Sequence, residues 1–189
     1  CFGLHASPLE TLRPYLAPQV KILVLLKDGN CVIDLAKWLS QEQFGQSDLF
    51  IMESLGFKKE KIRHTTADLL DFDDIKHPVC VAIIVSGNGE VIPCSSGKPD
   101  NLFQNDGQIT KQPIRALTIS AMAPKPFEPL WDIGSGSGSI SIEWLLASNT
   151  NTASAIEILS SRAEQIKLTA KKFGLSNLTV YHLSLIHIS

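Results

Sequence analysis

Cysteine is scarce in this chain. Cys1, Cys31, Cys80 and Cys94 are spread over 189 residues and form no CxxC pair, so neither a disulfide framework nor a zinc site is expected. They read as reduced thiols of a cytoplasmic protein. The five histidines are scattered too, and no metal site is expected. No apolar run approaches the roughly 20 residues that span a bilayer, so no membrane partner is expected. The net charge is only −2, which leaves no basic footprint for nucleic acid. The composition that remains, 44% hydrophobic and 19% charged, suits one globular domain or two small ones.

Apolar runs and breakers divide the chain. Residues 20–26 read as a buried strand closed by Asp28-Gly29. Residues 31–44 carry Val32, Leu35, Ala36 and Leu39 at helical spacing, with Gly45 as the stop. Residues 48–55 and 78–85 read as strands, and residues 58–63 as a solvated basic stretch. Residues 93–100 are rich in breakers and mark a domain boundary. Beyond them the spacing predicts a helix with Ile114, Leu117, Ile119 and Met122 on it, then strand 130–133, helix 139–147, strand 153–158, helix 161–173 and strand 178–182. That alternation is the pattern of a parallel α/β sheet.

Gly134-Ser135-Gly136-Ser137-Gly138 has the composition of a linker. A strand runs straight into it and a helix straight out of it, however, which leaves no slack. Glycines there permit a tight turn and a close approach of backbone N–H groups to a ligand. Glu157 ends the next strand, about 20 residues on, where an acid commonly holds a ribose diol. The spacing is GxGxG rather than the dinucleotide GxGxxG, and Asp132 stands two residues before the first glycine. An acid beside the loop suits the cationic S-adenosylmethionine better than a pyrophosphate. The pattern is moderately specific for class I methyltransferases and names no substrate. An NAD(P)-dependent oxidoreductase, or a class I methyltransferase for another small molecule, stays open on this evidence.

Resemblance narrows the reading. DGQITK (106–111), IRAL (114–117) and LWDIGSGSGSISIEW (130–144) resemble the decarboxylating precorrin methylases of cobalamin biosynthesis, which methylate carbon 15 of the macrocycle. LHASPLETLRPYL (4–16), KILVLLKDG (21–29) and DLFIMESLGFKKEKIR (48–63) resemble the C-terminal lobe of the tetrapyrrole methylases that methylate carbon 5. The two types are often fused in this order through a segment like GKPDNLFQNDGQITK (97–111). The fold this resemblance implies is α/β: the C-terminal lobe of a tetrapyrrole methylase over residues 1–96, then the first half of a class I (Rossmann-like) methyltransferase over residues 97–182. The implied cofactor is S-adenosyl-L-methionine, and the implied partner a small-molecule tetrapyrrole (precorrin). A homo-oligomer is left open.

Carried over residue by residue, the resemblance gives the cofactor to Thr110, Gly134, Ser135, Gly136, Ser137, Gly138 and Glu157. Thr110 reads equally well as a helix N-cap, and Glu157 as a solvated strand-end carboxylate. Asp132 is expected to order the loop. No catalytic residue is named, because an activated methyl and an electron-rich carbon demand no general base. The chain departs from the family at His5-Ala6-Ser7 and at Phe57, which reads as a repacked surface turn, and no site is assigned in residues 1–96. Residues 183–189, LSLIHIS, resemble the translation of a sequencing adapter. The chain therefore reads as an internal fragment, with strand 130–133 at an exposed edge, poor solubility and no activity of its own.

Overall fold

A computed structural model describes residues 1–183. The adapter reading of residues 183–189 thus falls, apart from Leu183, outside the described residues. The fold is mixed α/β, in two compact units that divide between Ile92 and Pro93.

The first unit is a five-stranded sheet with one long helix. Its strands are β1 (Phe2–Gly3), β2 (Lys21–Leu26), β3 (Asp48–Glu53), β4 (Lys61–Thr66) and β5 (Val79–Ile84), in the spatial order β1-β2-β5-β3-β4. Strand β1 runs parallel to β2, and the other pairings are antiparallel. Side chains alternate along β2, with Ile22, Val24 and Leu26 buried, as a half-covered sheet requires. Helix α1 (Gly29–Gln41) lays Val32, Leu35, Ala36 and Leu39 into this core. Fully buried Val32, Leu35 and Leu39 each contribute about 1.5–3 kcal/mol. Asp28 caps the helix by accepting from Cys31 N at 3.0 Å. That bond holds its carboxyl below the usual range.

The helix does not wait for Gly45 to stop. Gln43 takes the left-handed conformation (φ 64°). Gln43 N then donates to Ser40 O at 3.0 Å and Phe44 N to Leu39 O at 2.7 Å, the paired bonds of a Schellman ending. The solvated reading of residues 58–63 holds for Lys61 and Ile62, which stay exposed at the start of strand β4, and fails at Arg63. Arg63 is largely buried there. Its Nε donates to Glu53 Oε1 at 2.9 Å, it pairs with Asp74, and its guanidinium lies 4.5 Å from the Phe72 ring centroid. Phe57 is exposed, as a surface turn should be.

The second unit opens with helix α2 (Gln112–Met122) and continues as β6 (Pro129–Ile133), α3 (Ser139–Ala147), β7 (Thr152–Glu157), α4 (Ser160–Lys172) and β8 (Leu178–His182). The three strands are parallel, in the order β6-β7-β8. Among the described residues β6 is an edge, with Trp131 72% and Ile133 54% exposed. Helix α3 is apolar nearly all round and buries Ile142, Trp144 and Leu145. Helix α2 does not bury all of the apolar positions read from sequence. Ile114 and Leu117 face outward, and the buried positions are Ile119 and Arg115. No helix among the described residues is long and apolar enough to cross a membrane.

Candidate functional site

Strand β6 ends at Ile133 and α3 begins at Ser139, so the loop 134–138 must reverse the chain within five residues. It does so with three glycines in the left-handed region: Gly134 (φ 73°), Gly136 (φ 57°) and Gly138 (φ 67°). The first and last are constrained differently. A Cβ on Gly138 would stand 2.8 Å from Cγ2 of Ile166 on α4, so this glycine lets the loop pack against a helix. Around Gly134 and Gly136 there is open space instead. The loop is stitched to the next strand, since Gly134 N and Ser135 N both donate to Ile156 O, at 2.9 and 3.1 Å.

Glu157 ends β7 beside this loop and is 3% exposed. Its Oε2 accepts from Gly136 N at 2.8 Å and its Oε1 from Leu159 N at 2.9 Å. A carboxylate has about four acceptor positions, so both oxygens keep capacity for a further donor. The solvated reading of Glu157 is thereby excluded. Asp132 lies behind the loop. Its Oδ2 accepts from Ser141 Oγ at 2.6 Å and from Ser141 N at 3.3 Å, which pins the first turn of α3. Burial pushes its carboxyl up; the Ser141 bonds oppose this, and the nearby Glu157 charge adds to it.

A cavity of about 570 Å³ opens over the loop. Residues 134–137 form one wall, Gln108, Ile109 and Thr110 another, and Glu157, Ile158 and Arg162 a third. Six of the seven residues singled out from sequence therefore meet around one space: Thr110, Gly134, Ser135, Gly136, Ser137 and Glu157. Gly138 does not line it, and supports the loop through α4.

Thr110 is not the cap of α2. The N-cap is Lys111, whose side chain makes no capping bond. Counted from Thr110, Pro113 would stand at the third helical position, where it has no N–H to give a capping hydroxyl. What holds Thr110 is Arg115, fully buried one turn further on. Its guanidinium donates to Thr110 O, to Lys98 O, to Asp100 Oδ1 at 3.0 Å and to Glu143 Oε1 at 2.6 Å, and sits 4.5 Å from the Phe103 ring centroid. Glu143, on α3, is equally buried and accepts from Gly97 N at 2.6 Å and Lys98 N at 2.8 Å. Burial in this cluster pushes the Lys98 ammonium down, against the pull of Glu143.

Sequence reasoning missed this pair. The signal was one charge of each sign inside an apolar run, Arg115 in IRAL and Glu143 in ISIEW. It missed the cavity residues Gln108, Ile109, Ile158 and Arg162 as well. Arg162 donates through Nε to Asp106 Oδ2 at 2.8 Å and through Nη2 to Gln108 Oε1 at 2.9 Å. The first bond holds the Asp106 carboxyl below its usual range.

The profile described as a precorrin methyltransferase domain matches residues 101–186, which include every residue of the cavity. A precorrin-6Y C(5,15)-methyltransferase [decarboxylating] of Sinorhizobium sp is 43% identical over 181 residues, covering 94% of this chain and 44% of that protein. Its namesake in Mycobacterium tuberculosis is 35% identical over 183 residues, covering 93% of this chain and 45% of that protein. The crystal structure of the C-terminal domain of precorrin-6Y C5,15-methyltransferase from Rhodobacter capsulatus is 43% identical over half of each chain, with a TM-score of 0.48. The chain spans about half the length of the curated relatives it matches.

Proposed function

The chain is a homologue of the decarboxylating precorrin-6Y C(5,15)-methyltransferases and carries a precorrin methyltransferase domain, and from that premise we propose that its second unit binds S-adenosyl-L-methionine in the 570 Å³ cavity. On this reading residues 97–182 are the first part of a class I methyltransferase and residues 1–96 the C-terminal lobe of a tetrapyrrole methylase. The protein of which they form part methylates a precorrin macrocycle at carbons 5 and 15, with loss of an acetate carboxyl, in cobalamin biosynthesis.

The observation that carries the reading is the Glu157 carboxylate, buried, bonded to Gly136 N, and lining the same cavity as Thr110. The donor set fits the cofactor. Open space at Gly134 and Gly136 admits a ligand against backbone. The carboxylate can accept from a ribose diol and disfavours a bound phosphate. When bound, the cofactor supplies a methyl group already activated for transfer. The work of the chain's own residues is then to bind and align, and good alignment is worth about 7–11 kcal/mol. Thr110 offers a hydroxyl at one wall, the loop 134–137 shapes the floor, and Ile158 presents an apolar surface beside the acid.

The activity is tested on the protein that contains this chain, supplied with S-adenosylmethionine and its precorrin substrate. Methylation at carbon 15 together with release of carbon dioxide is the expected result. Turnover at carbon 5 with none at carbon 15 would contradict the assignment of the second unit.

A further inference from the structure

Residues 105–109 run along one wall of the cavity between two anchors whose partners are fully buried. On one side Gln104 N donates to Thr169 Oγ1 at 3.1 Å, and Thr169 is fully buried on α4. On the other, Thr110 O receives the guanidinium of fully buried Arg115. Between the anchors the strap is held to itself by short-range bonds, Gly107 N to Asn105 Oδ1 at 3.0 Å and Gln108 N to Asp106 Oδ1 at 3.1 Å. Gly107 has φ 94° and no atom within 4 Å of where a Cβ would lie. Among the described residues, the hydrogen bonds that reach residues 105–109 from another element are the two from Arg162, in the first turn of α4.

We propose that Arg162 is a positioning residue that latches this strap as a wall of the cavity, so that a bound ligand is held longer while the latch is closed. The proposal rests on the reading of the cavity as the S-adenosylmethionine site. The Thr110 anchor and the latch differ in strength for a physical reason. Breaking the buried Arg115 network leaves polar groups unpaired away from water. The Arg162–Asp106 pair is partly exposed, with side chains 17% and 39% accessible, and such pairs are weak and screened by salt. The planar guanidinium suits the task because its fork reaches a carboxylate and an amide oxygen at once. A lysine could serve one of them. The strap therefore opens between fixed ends, without disturbing the Arg115 network that holds Thr110.

The test compares wild type, Arg162→Lys and Arg162→Ala in the protein that contains this chain. Without cofactor, amide exchange at Gly107, Gln108 and Ile109 should quicken about fivefold in Arg162→Ala, the scale of an exposed pair. Exchange at Gly97 and Lys98, bonded to Glu143, should not change, nor should the thermal midpoint. S-adenosylmethionine should dissociate about fivefold faster from Arg162→Ala, with Arg162→Lys between the two. Added salt should speed dissociation from wild type and leave Arg162→Ala unaffected. Unchanged exchange in the strap, or a fall in thermal midpoint that parallels the loss of affinity, would overturn the latch. A wild type that binds no S-adenosylmethionine, yet shows the strap exchanging faster in Arg162→Ala, would sink the cofactor reading and leave the latch standing.

Discussion

Glu157 Oε2 accepts from Gly136 N at 2.8 Å, so the acid that ends β7 and the loop that follows β6 form one structural unit. The same carboxylate also holds Leu159 N at 2.9 Å. Removing it should loosen both the cofactor contact and the loop. Charged hydrogen bonds contribute roughly 1.5–3 kcal/mol. Glu157→Ala should therefore weaken S-adenosylmethionine binding by about tenfold to a hundredfold. Calorimetry showing wild-type affinity would remove Glu157 from the site.

Two glycines of the loop should fail in different ways. Gly136 has φ 57° and open space beside it, so Gly136→Val strains the backbone and intrudes on the cavity. Carbon 15 methylation and carbon dioxide release should be lost while carbon 5 methylation survives. Gly138→Ala drives a Cβ to 2.8 Å from Ile166 and should cost stability instead, on the order of 1–3 kcal/mol in denaturant unfolding. A Gly136→Val protein that keeps both activities would show that the loop does not meet the cofactor.

The Arg115–Glu143 pair is wholly buried. Arg115→Met alone leaves the buried Glu143 charge without its guanidinium, with only the Gly97 and Lys98 N–H groups on it, which should cost about 3–5 kcal/mol. Pairing it with Glu143→Leu removes both charges, and the double variant should be less destabilised than the two single variants added together. Strict additivity in urea melts would show that the two side chains do not act as a pair.

Asp132 gives the second unit a pH signature. Burial raises its folded carboxyl above the 3.8 of a free aspartate, against the Ser141 bonds. The folded state therefore binds this proton more readily than the unfolded chain, and stability from this group grows as pH falls. It is complete below the unfolded value and is lost as pH rises through the raised folded one. Relative to Asp132→Asn, wild type should gain stability on going from neutral pH toward about pH 4. A difference that stays flat, or runs the other way, in melts across that range would contradict the raised carboxyl.

The parts of the fold that local chemistry decides were legible in the sequence. Helix α3 and strand β8 fall on the residues that periodicity and glycine placement mark, and the loop between β6 and α3 follows from its lack of slack. What escaped depends on partners distant in sequence. Arg63 looked solvated because Glu53 lies on a neighbouring strand and Asp74 beyond a turn. Arg115 was not singled out because its partner Glu143 is 28 residues away. Arg162 carried no local signal, since its partners Asp106 and Gln108 precede it by more than fifty residues. Ile114 and Leu117 were misleading in the opposite sense, as apolar side chains left on the outer face of α2.

The measurement that bears most directly on the central claim is a calorimetric titration of the protein that contains this chain with S-adenosylmethionine and, in parallel, with NADH, each repeated on Glu157→Ala. S-adenosylmethionine should bind, NADH should not, and the substitution should weaken the first by about tenfold or more. Binding of NADH in preference, or of S-adenosylmethionine with no dependence on Glu157, would contradict the claim.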